Sequence, residues 1–350
     1  EHIVDEILEA CHVSRSCLLY TGGGHFYLLL PNTTHTQAVL QKADSLINDW
    51  FLQHYGTKLY IALASEPCSA DDFSVRGGGA GKVFQKVSQA LGQKKLCRYD
   101  EQQLTALFDA QSRYNKDTDG SRECAICHTA SPAADLQPYG EDTGDGAEEA
   151  CASCNALFRL GKSSLTASMF VISPSAGREG VPLPGLAQPY YLQAIREKEL
   201  AAMDKPKRIY VKNEITLGQA VSTHLWMGDY ITCNEQGHAV EFTELAQQSG
   251  GSREETGIAR IGVLRGDVDN LGAAFIAGFS SSYDTLSRKV TLSRNLSLFF
   301  KQYIKAICQG HTAEGTPGFT LFTDEVKRER KVHVIYSGGD DMFLAGTWDD

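Results

Sequence analysis

The chain of 350 residues has a mass of 38.2 kDa, is 42% hydrophobic and 22% charged, and carries a formal net charge of -10 at pH 7. This length allows two or three domains with cores of their own, and the acidic balance argues against a protein that coats nucleic acid irrespective of sequence. The apolar runs are far shorter than the ~18 residues of a membrane span, and no secretory leader opens the sequence, so we expect a soluble cytoplasmic protein with no membrane partner.

The first hundred residues alternate between strand and helix signals. Thr34 is the expected N-cap of a helix that Gly56 ends. Strands are predicted over 17–20, 26–30 and 59–64, and the glycines of TGGG form the turn between the first two. This alternation favours an αβ domain at the start of the chain.

Four of the ten cysteines form two CxxC pairs with 23 residues between them, in a region rich in Gly, Ser, Asp and Glu. The pairs are Cys124 with Cys127 and Cys151 with Cys154. Four thiolates in two such knuckles are typical of structural zinc in a reducing compartment. A redox role for the CxxC pairs is the alternative, and His128 is an available ligand that this set does not need.

The last hundred residues again read as αβ. A strand over 261–264 leads into RGDVDNLG, and a long helix runs from about Thr285 to Cys308. The apolar residues expected on the buried side of that helix are Leu296, Phe299, Phe300, Tyr303 and Ile307. A strand over 332–336 then reaches the stretch YSGGDDMFLAG.

The aspartates of RGDVDNLG and GGDD suggest a metal site. Asp267 and Asp269 lie two residues apart and are expected on one face at the end of a strand. Asp340 and Asp341 stand at a glycine turn, where a purely structural turn or a solvated strand end is the alternative interpretation. Because clustered carboxylates repel one another without cations, two acidic clusters at neighbouring strand ends predict a Mg²⁺ or Mn²⁺ site.

The hairpin at the end of the chain has a counterpart near its start. CLLYTGGGHFYLLLP can be laid on HVIYSGGDDMFLAG at one constant offset, so that Tyr20 meets Tyr336. Gly24 and His25 then stand where Asp340 and Asp341 stand. The pattern predicts two related αβ domains of which the second alone can hold metals, unless two glycine hairpins are alike by chance.

The stretch RGGGAGKV, from Arg76 to Val83, resembles a phosphate loop only superficially. The first glycine of the P-loop spacing falls on Arg76, and Val83 replaces the required Ser or Thr. We therefore expect a flexible loop here and no Walker-type NTPase.

Taken together, these motifs resemble the large signalling subunit of type III CRISPR effector complexes, of the Csm kind. The stretches YTGGGHFYLLLP, CAIC, CASCNALFRLGKSSL, LRGDVDNLG, TLSRNLSLFF and YSGGDDMFLAG carry the resemblance and follow the family's order along nearly the whole chain. The resemblance implies an α+β fold with two ferredoxin-like palm domains, of the nucleotide-cyclase and polymerase type, and a zinc-binding domain between them. The expected bounds are 1–110 for a degenerate palm that lacks its first strand, 111–255 for the zinc-binding and linker domain, and 256–350 for the catalytic palm without its C-terminal part.

The resemblance also implies an activity, which is the synthesis of cyclic oligoadenylates from ATP when the complex holds a target RNA paired to its guide RNA. Other subunits of the effector complex and both RNAs are then the expected partners. Asp267, Asp340 and Asp341 would hold catalytic Mg²⁺ or Mn²⁺, and the four cysteines would hold structural Zn²⁺. The residues expected to line the nucleotides are Gly338, Gly339, Val268, Asn270, Gly22, Gly23 and Gly24.

Two other functions stay open at this point. One is a different palm-type nucleotidyltransferase, such as a diguanylate cyclase or an RNA polymerase. The other is a non-catalytic scaffold with a vestigial palm.

For the first hairpin, we expect that a valine at Gly23 would crowd a bound ATP and spare metal binding at Asp340.

Overall fold

The computed structural model describes residues 1–74, 76, 78–112, 122–131, 135–140, 147–177, 180–203, 205–215, 220–249, 258–310 and 329–349. None of the helices in these ranges is both long and apolar enough to cross a membrane. The fold is a mixture of helices and mainly antiparallel sheets, as expected for the α+β class.

The helices, in chain order, are α1 (His2–Ala10), α2 (Thr34–Tyr55), α3 (Gly79–Leu96), α4 (Glu101–Phe108), α5 (Ala152–Thr166), α6 (Glu197–Leu200), α7 (Phe242–Gln247), α8 (Leu271–Ala277), α9 (Leu286–Leu298) and α10 (Ile304–Cys308). The strands are β1 (Leu18–Gly22), β2 (His25–Leu28), β3 (Arg122–Glu123), β4 (Ala130–Ser131), β5 (Leu136–Pro138), β6 (Glu149–Cys151), β7 (Met169–Ser173), β8 (Val181–Leu183), β9 (Tyr190–Ile195), β10 (Arg208–Lys212), β11 (Thr223–Leu225), β12 (Ile261–Asp267), β13 (Val332–Gly338) and β14 (Asp341–Thr347).

Contacts between residues divide the chain into two compact units. The first contains Glu1–Cys17, Leu30–Pro67 and Lys86–Leu225, and the second contains Leu18–Leu29, Cys68–Gln85 and Trp226–Asp350. The hairpin of β1 and β2 therefore packs with the C-terminal residues, far from it in sequence. The three-domain division with boundaries near 110 and 255 stays a prediction.

The first unit is built on a sheet with the strand order β11, β10, β7, β9, β8. β10 and β11 are parallel, and the other neighbouring strands are antiparallel. Every residue of β7 is buried, and Met169 and Val171 form a core cluster with Ile209 and Val211 of β10. A continuous apolar strand such as MFVIS suits this central position, because both of its faces are covered.

A buried ionic network ties α1 to this sheet. Arg208 of β10 pairs with Glu6 at 2.5 Å, and the other carboxylate oxygen of Glu6 accepts a hydrogen bond from the Leu186 amide at 3.0 Å. The Tyr210 hydroxyl donates to Asp5 at 2.6 Å. Because buried charges are costly without partners, each of these groups requires the others to be in place.

The helix predicted from Thr34 to Gly56 is present as α2, with a shift of one residue in its cap. Thr33 is the N-cap, since its side chain accepts from the Thr36 amide, and Gly56 follows the last helical residue with a φ of 60°. The strand predicted over 59–64 is wrong. There the Asn48 side chain, and not a neighbouring strand, binds both the amide and the carbonyl of Ile61.

The second unit contains an antiparallel sheet in which β14 lies between β12 and β13. The order of strand, helices and hairpin, with the last strand in the middle, is that of a ferredoxin-like sheet. Its core cluster contains Tyr230, Ile304, Cys308 and Val334. The long helix predicted before β13 is present as α9 and α10.

A π-helical segment, Phe299–Tyr303, separates α9 from α10. A π turn adds a residue to the turn and rotates the helix face, which an ideal helical period does not anticipate. Phe300 and Ile304 are buried as a result, at 4% and 6% exposure. The expected burial of Phe299 and Tyr303 is wrong, because these side chains are 41% and 53% exposed.

The network on α1 gives a stability prediction. We expect Glu6→Ala in the full-length protein to lower the free energy of unfolding by about 3 kcal/mol, because it leaves Arg208 and the Leu186 amide without their buried partner. The matched control is Glu9→Ala, which removes a carboxylate that also pairs with Arg208 but is 55% exposed. Its expected cost is below about 1 kcal/mol. Urea unfolding measures both, and equal losses in the two variants would contradict the prediction.

Candidate functional site

The GGDD stretch forms the tip of the β13–β14 hairpin. Gly338 pairs with Asp341 across the hairpin, and Gly339 and Asp340 make the turn between them. Gly339 has a φ of 72°, which a glycine adopts without strain. The tip is also tied to β12, since the Val268 amide donates to the Asp340 carbonyl at 2.9 Å. That bond occupies the amide of Val268, so it is not a free donor for a phosphate.

Two of the predicted metal ligands face each other across neighbouring strands. Asp267, the last residue of β12, is the register partner of Asp341, the first residue of β14. Directly opposed residues of an antiparallel pair lie on the same face with Cβ atoms about 5 Å apart. Asp340 follows in the turn, so all three aspartates belong to one end of the sheet.

Asp269 does not share this arrangement. β12 ends at Asp267, so the alternation of a strand does not extend to Asp269, and a shared face for the two aspartates stays a prediction. Asn270 has left-handed backbone, with a φ of 56°, and is the N-cap of α8. The DVDN stretch is therefore a strand end followed by a tight turn into a helix.

The three aspartates are not drawn tightly together. Among the residues that the structure describes, the four cysteines are the one group of three or more candidate ligands whose donor atoms all lie within 4.8 Å of one another. Carboxylates without a cation between them repel. A carboxylate pair in register on one face, with a third carboxylate at the adjacent turn, nevertheless supplies the oxygen ligands that Mg²⁺ and Mn²⁺ take.

The first hairpin has the same register as the second. Leu18, Tyr20 and Gly22 pair with Leu28, Tyr27 and His25, and the equivalent pairs of the second hairpin are Val334 with Leu344, Tyr336 with Phe343 and Gly338 with Asp341. Both hairpins are irregular at the same place, between Leu18 and Tyr20 and between Val334 and Tyr336. Shared pairing and a shared irregularity support a duplicated hairpin over a chance match of glycines.

The two glycine turns lie against each other. A Cβ atom added at Gly339 would lie 2.5 Å from the Cα atom of Gly23, and one added at Gly22 would lie 3.2 Å from Gly339 Cα. A Cβ atom at Gly23 would stand 2.9 Å from Oδ1 of Asp340. Residues larger than glycine do not fit this approach, so the missing side chains serve the contact between the turns.

The remaining glycines of the two turns face open space. A Cβ atom at Gly24 would meet no described atom within 4 Å, and one at Gly338 would meet only Cε of Lys301, at 3.8 Å. Lys301 comes from the π-helical segment and brings a positive charge near the turn, which sequence reasoning missed. Of the glycines predicted to line the nucleotides, Gly24 and Gly338 thus have open space beside them, and their role in binding stays a prediction.

Tyr20 stands at the junction of the two turns. Burial, the negative charge of Asp340 and the neighbouring Tyr27 raise the pKa of the Tyr20 hydroxyl above its ordinary value. Burial also raises the pKa of Tyr27. Both hydroxyls are therefore protonated at neutral pH and able to donate a hydrogen bond.

The glycine-rich stretch RGGGAGKV does not form the expected flexible loop throughout, because α3 begins at Gly79. The Gly81 amide, at the N-terminus of this helix, donates to the Asp284 carboxylate at 2.9 Å. Asp284 also pairs at 2.8 Å with Lys289, which is 1% exposed and donates to the Phe275 carbonyl at the end of α8. A negative charge at a helix N-terminus is stabilising. Through Lys289, Asp284 also connects the start of α3 to the end of α8, the helix that follows Asp267 and Asp269.

The four cysteines of the CxxC pairs come together as predicted. Cys124 and Cys127 belong to the turn between β3 and β4, whereas Cys151 ends β6 and Cys154 lies in the first turn of α5. The sulfur atoms of Cys127 and Cys151 are 4.0 Å apart. Sulfurs at the corners of a tetrahedron around zinc, with Zn–S bonds of about 2.3 Å, would be about 3.8 Å apart.

The surroundings of the cysteines also fit a metal. All ten cysteines lie in the described part of the chain, and none of them forms a disulfide. Burial raises the pKa of Cys124, but hydrogen bonds from the backbone at Cys127, Cys151 and Ile126 outweigh burial and lower the pKa to about 6. Burial and the neighbouring thiols raise the pKa of Cys154. Such a set binds metal only as it loses protons.

Two family models match this chain. The model of Csm1 subunit domain B matches residues 1–111, and the model of the Cas10/Cmr2 second palm domain matches residues 260–350. The second match covers the sheet of β12, β13 and β14 with its aspartates. The first match covers the hairpin of β1 and β2, for which a complete palm remains a proposal.

Curated relatives match the whole length of the chain. A protein of Mycobacterium tuberculosis, named CRISPR system single-strand-specific deoxyribonuclease Cas10/Csm1 (subtype III-A), is 35% identical over 100% of this chain and 42% of its own length. The protein of the same name from Enterococcus italicus is 34% identical over 100% of this chain and 41% of its own length. The chain thus spans about two fifths of the length of these relatives.

A solved structure has the same fold and leads to the family assignment. The Csm1-Csm4 cassette in complex with one ATP matches with a TM-score of 0.71 and 25% identity, over 99% of this chain and 41% of that one. The cassette in complex with cA3 matches with a TM-score of 0.69, also at 25% identity, over 99% of this chain and 40% of that one. The full-length identity to the curated relatives, the palm match and this shared fold show that the chain belongs to the Cas10/Csm1 family of subtype III-A CRISPR systems.

Proposed function

We propose that this chain carries the nucleotide-joining site of a Cas10/Csm1 subunit and synthesises cyclic oligoadenylates from ATP. The observation that carries the proposal is the placement of Asp340 at the contact between two glycine turns, with Asp267 and Asp341 opposed beside it. Carboxylates at one sheet end, next to backbone that a triphosphate can approach closely, suit metal-dependent nucleotidyl transfer.

The solved relatives support ATP as the substrate. These solved structures are Csm1-Csm4 cassettes in complex with one ATP and with cA3. We extend this to the present chain, and with it the assembly into an RNA-guided effector complex with other subunits, a guide RNA and an activating target RNA. The deoxyribonuclease named for the curated relatives is a property of those longer proteins, and our proposal concerns the palm sheet.

In the proposed reaction, the 3′-hydroxyl of one ATP attacks the α-phosphate of a second, a new phosphodiester bond forms, and pyrophosphate leaves. Asp267, Asp340 and Asp341 would hold Mg²⁺ or Mn²⁺. The metal would lower the pKa of the attacking 3′-hydroxyl and neutralise negative charge at the α-phosphate. Gly338 leaves room for the triphosphate, and Lys301 adds positive charge beside it. The chain contributes chiefly by positioning and by electrostatic stabilisation.

The first hairpin would seat the other ATP. Gly24 and His25 replace the two aspartates there, so this hairpin offers no carboxylate pair for a catalytic metal. The open space at Gly24 is available to a nucleotide, and the facing turns bring the two halves of the site together. A complete first palm, related to the second, is part of this proposal.

The other open functions give different products. A diguanylate cyclase would consume GTP, an RNA polymerase would need a template, and a scaffold would make no pyrophosphate. Incubating the whole effector complex with ATP, target RNA and Mg²⁺ or Mn²⁺, and separating the products, distinguishes these functions. The opposed carboxylates Asp267 and Asp341 favour an enzyme over a scaffold.

Replacement of the acidic residues tests the metal assignment. We expect Asp340→Ala or Asp341→Ala in the complete complex to lower oligoadenylate synthesis by at least about 100-fold, because each change removes a proposed metal ligand. RNA binding by the complex should persist. Asp269→Ala is the control, since Asp269 lies beyond the end of β12 and outside the opposed pair. Product levels close to wild type in the first two variants would refute the assignment.

The cysteine cluster gives a second prediction. Metal analysis of the purified protein should find about one zinc per chain at Cys124, Cys127, Cys151 and Cys154. Cys127→Ser should reduce the zinc content and raise the protease sensitivity of the region around α5, because zinc binding and local folding are coupled. Cys97→Ser, at an exposed cysteine outside the cluster, should change neither. A redox pair would instead form a disulfide on oxidation with no zinc present.

The contact between the turns revises the expectation for Gly23. A side chain there would meet Oδ1 of Asp340, so a valine would disturb the metal site and would not spare it. We expect Gly23→Ala to raise the Mn²⁺ concentration needed for half-maximal synthesis roughly tenfold, by displacing a ligand. Gly24→Ala shares the backbone strain of a positive φ, 74° against 56°, but faces open space. It should leave the Mn²⁺ requirement unchanged, and equal shifts in both variants would contradict this explanation.

A further inference from the structure

The hydroxyl of Tyr20 has a fixed position that the proposed mechanism does not use. Tyr20 lies in β1, two residues before the first glycine turn. Its ring centre is 6.4 Å from that of Tyr27 and 6.2 Å from that of Phe275 in α8. Contacts on two sides hold the ring in place, so the direction of the hydroxyl is set by packing.

This hydroxyl points to the place where the two turns meet. The Cβ position of Gly22 lies 2.9 Å from the Tyr20 hydroxyl oxygen and 3.2 Å from Gly339 Cα. Because Gly22 has no side chain, it leaves the space between the Tyr20 hydroxyl and the second turn unfilled. The hydroxyl thus reaches from the hairpin without carboxylates to the hairpin that has them.

Within the described residues, the Tyr20 hydroxyl makes no hydrogen bond to the protein, and it senses the charge of Asp340 only through space. The hydroxyl is not among the buried unpaired polar atoms, so it keeps access to solvent and is available to a ligand that accepts its hydrogen bond. With an ordinary pKa near 10, a tyrosine is a proton donor at neutral pH. The matching partner is therefore an acceptor oxygen.

We infer that Tyr20 is a nucleotide-binding residue that donates a hydrogen bond to a phosphate oxygen of the ATP held at the Gly338–Asp341 turn. This inference rests on the proposed function. The chemistry at the second turn favours a phosphate, since a Cβ atom at Gly338 would meet only Cε of Lys301, at 3.8 Å, which leaves room beside a positive charge. The metal-free hairpin then contributes a contact to the substrate of the metal-bearing one.

The equivalent tyrosine of the second hairpin differs in its surroundings. Tyr336 is 41% exposed, and its ring stacks on Phe343 with a centre distance of 5.9 Å. Tyr20 has the additional contact with Phe275, which holds it toward the junction. The two copies of the hairpin have thus placed the same residue type in different environments.

The test uses the complete effector complex and titrates a non-hydrolysable ATP analogue in the presence of Mn²⁺. Tyr20→Phe keeps the ring and its packing and removes only the hydroxyl. We expect the dissociation constant to rise about tenfold, the effect of one hydrogen bond to a charged group. Tyr27→Phe is the matched control, because Tyr27 is the cross-strand partner of Tyr20 and packs its ring on Phe84. Its dissociation constant should stay within about twofold of wild type.

Each other outcome has a clear meaning. Equal affinities of Tyr20→Phe and Tyr27→Phe would overturn the inference. So would a weaker Mn²⁺ affinity of Tyr20→Phe with unchanged nucleotide affinity, since the hydroxyl would then act on Asp340. If the wild-type complex binds the analogue but forms no cyclic product from ATP, the proposed function fails while the binding comparison still decides the role of Tyr20. A wild-type complex that binds no nucleotide would overturn both.

Discussion

The close approach of two glycine turns is the constraint on which the candidate site depends. Gly22 and Gly23 lie so near Gly339 that a single Cβ atom on any of them would meet backbone or the Asp340 carboxylate. This contact positions Asp340 between two hairpins of the same register. It also explains the glycines at Gly23 and Gly339, because a positive φ and a missing side chain are needed there at the same residue.

Several other interactions hold the elements that surround this contact. Lys289, 1% exposed, pairs with Asp284 and donates to the carbonyl of Phe275, which joins α9 to the end of α8. Asp284 in turn accepts from Gly81 at the start of α3. A buried ion pair contributes little net stability but specifies one arrangement, since breaking it leaves a buried charge. Here it fixes the helix that carries Phe275 against Tyr20.

In the first unit, the region around the four cysteines has only a small apolar core. The cysteine cluster joins β3, β4, β6 and the start of α5, and around it Cys124, Leu136 and Ala150 form a small buried cluster. Short strands of two or three residues, such as β3 and β5, cannot hold such a region by themselves. A metal bound by four thiolates would supply the missing stabilisation.

The sequence by itself determined the motifs with local or repeated signals: the four-cysteine cluster, the helix that Gly56 ends, with its N-cap placed one residue late at Thr34, and the likeness of the two glycine hairpins. It also determined the family, through the order of these motifs along the chain. It failed at the strand over 59–64 and at the exposed Phe299, where a side-chain amide and a π turn, both set by tertiary contacts, override the local pattern. Only the tertiary structure decided which atoms of the two turns come close, so that a Cβ atom at Gly23 would meet Asp340 and one at Gly24 would not. Residues more than three hundred positions apart meet there, and no periodicity of the sequence encodes which backbone atoms of two similar turns will touch.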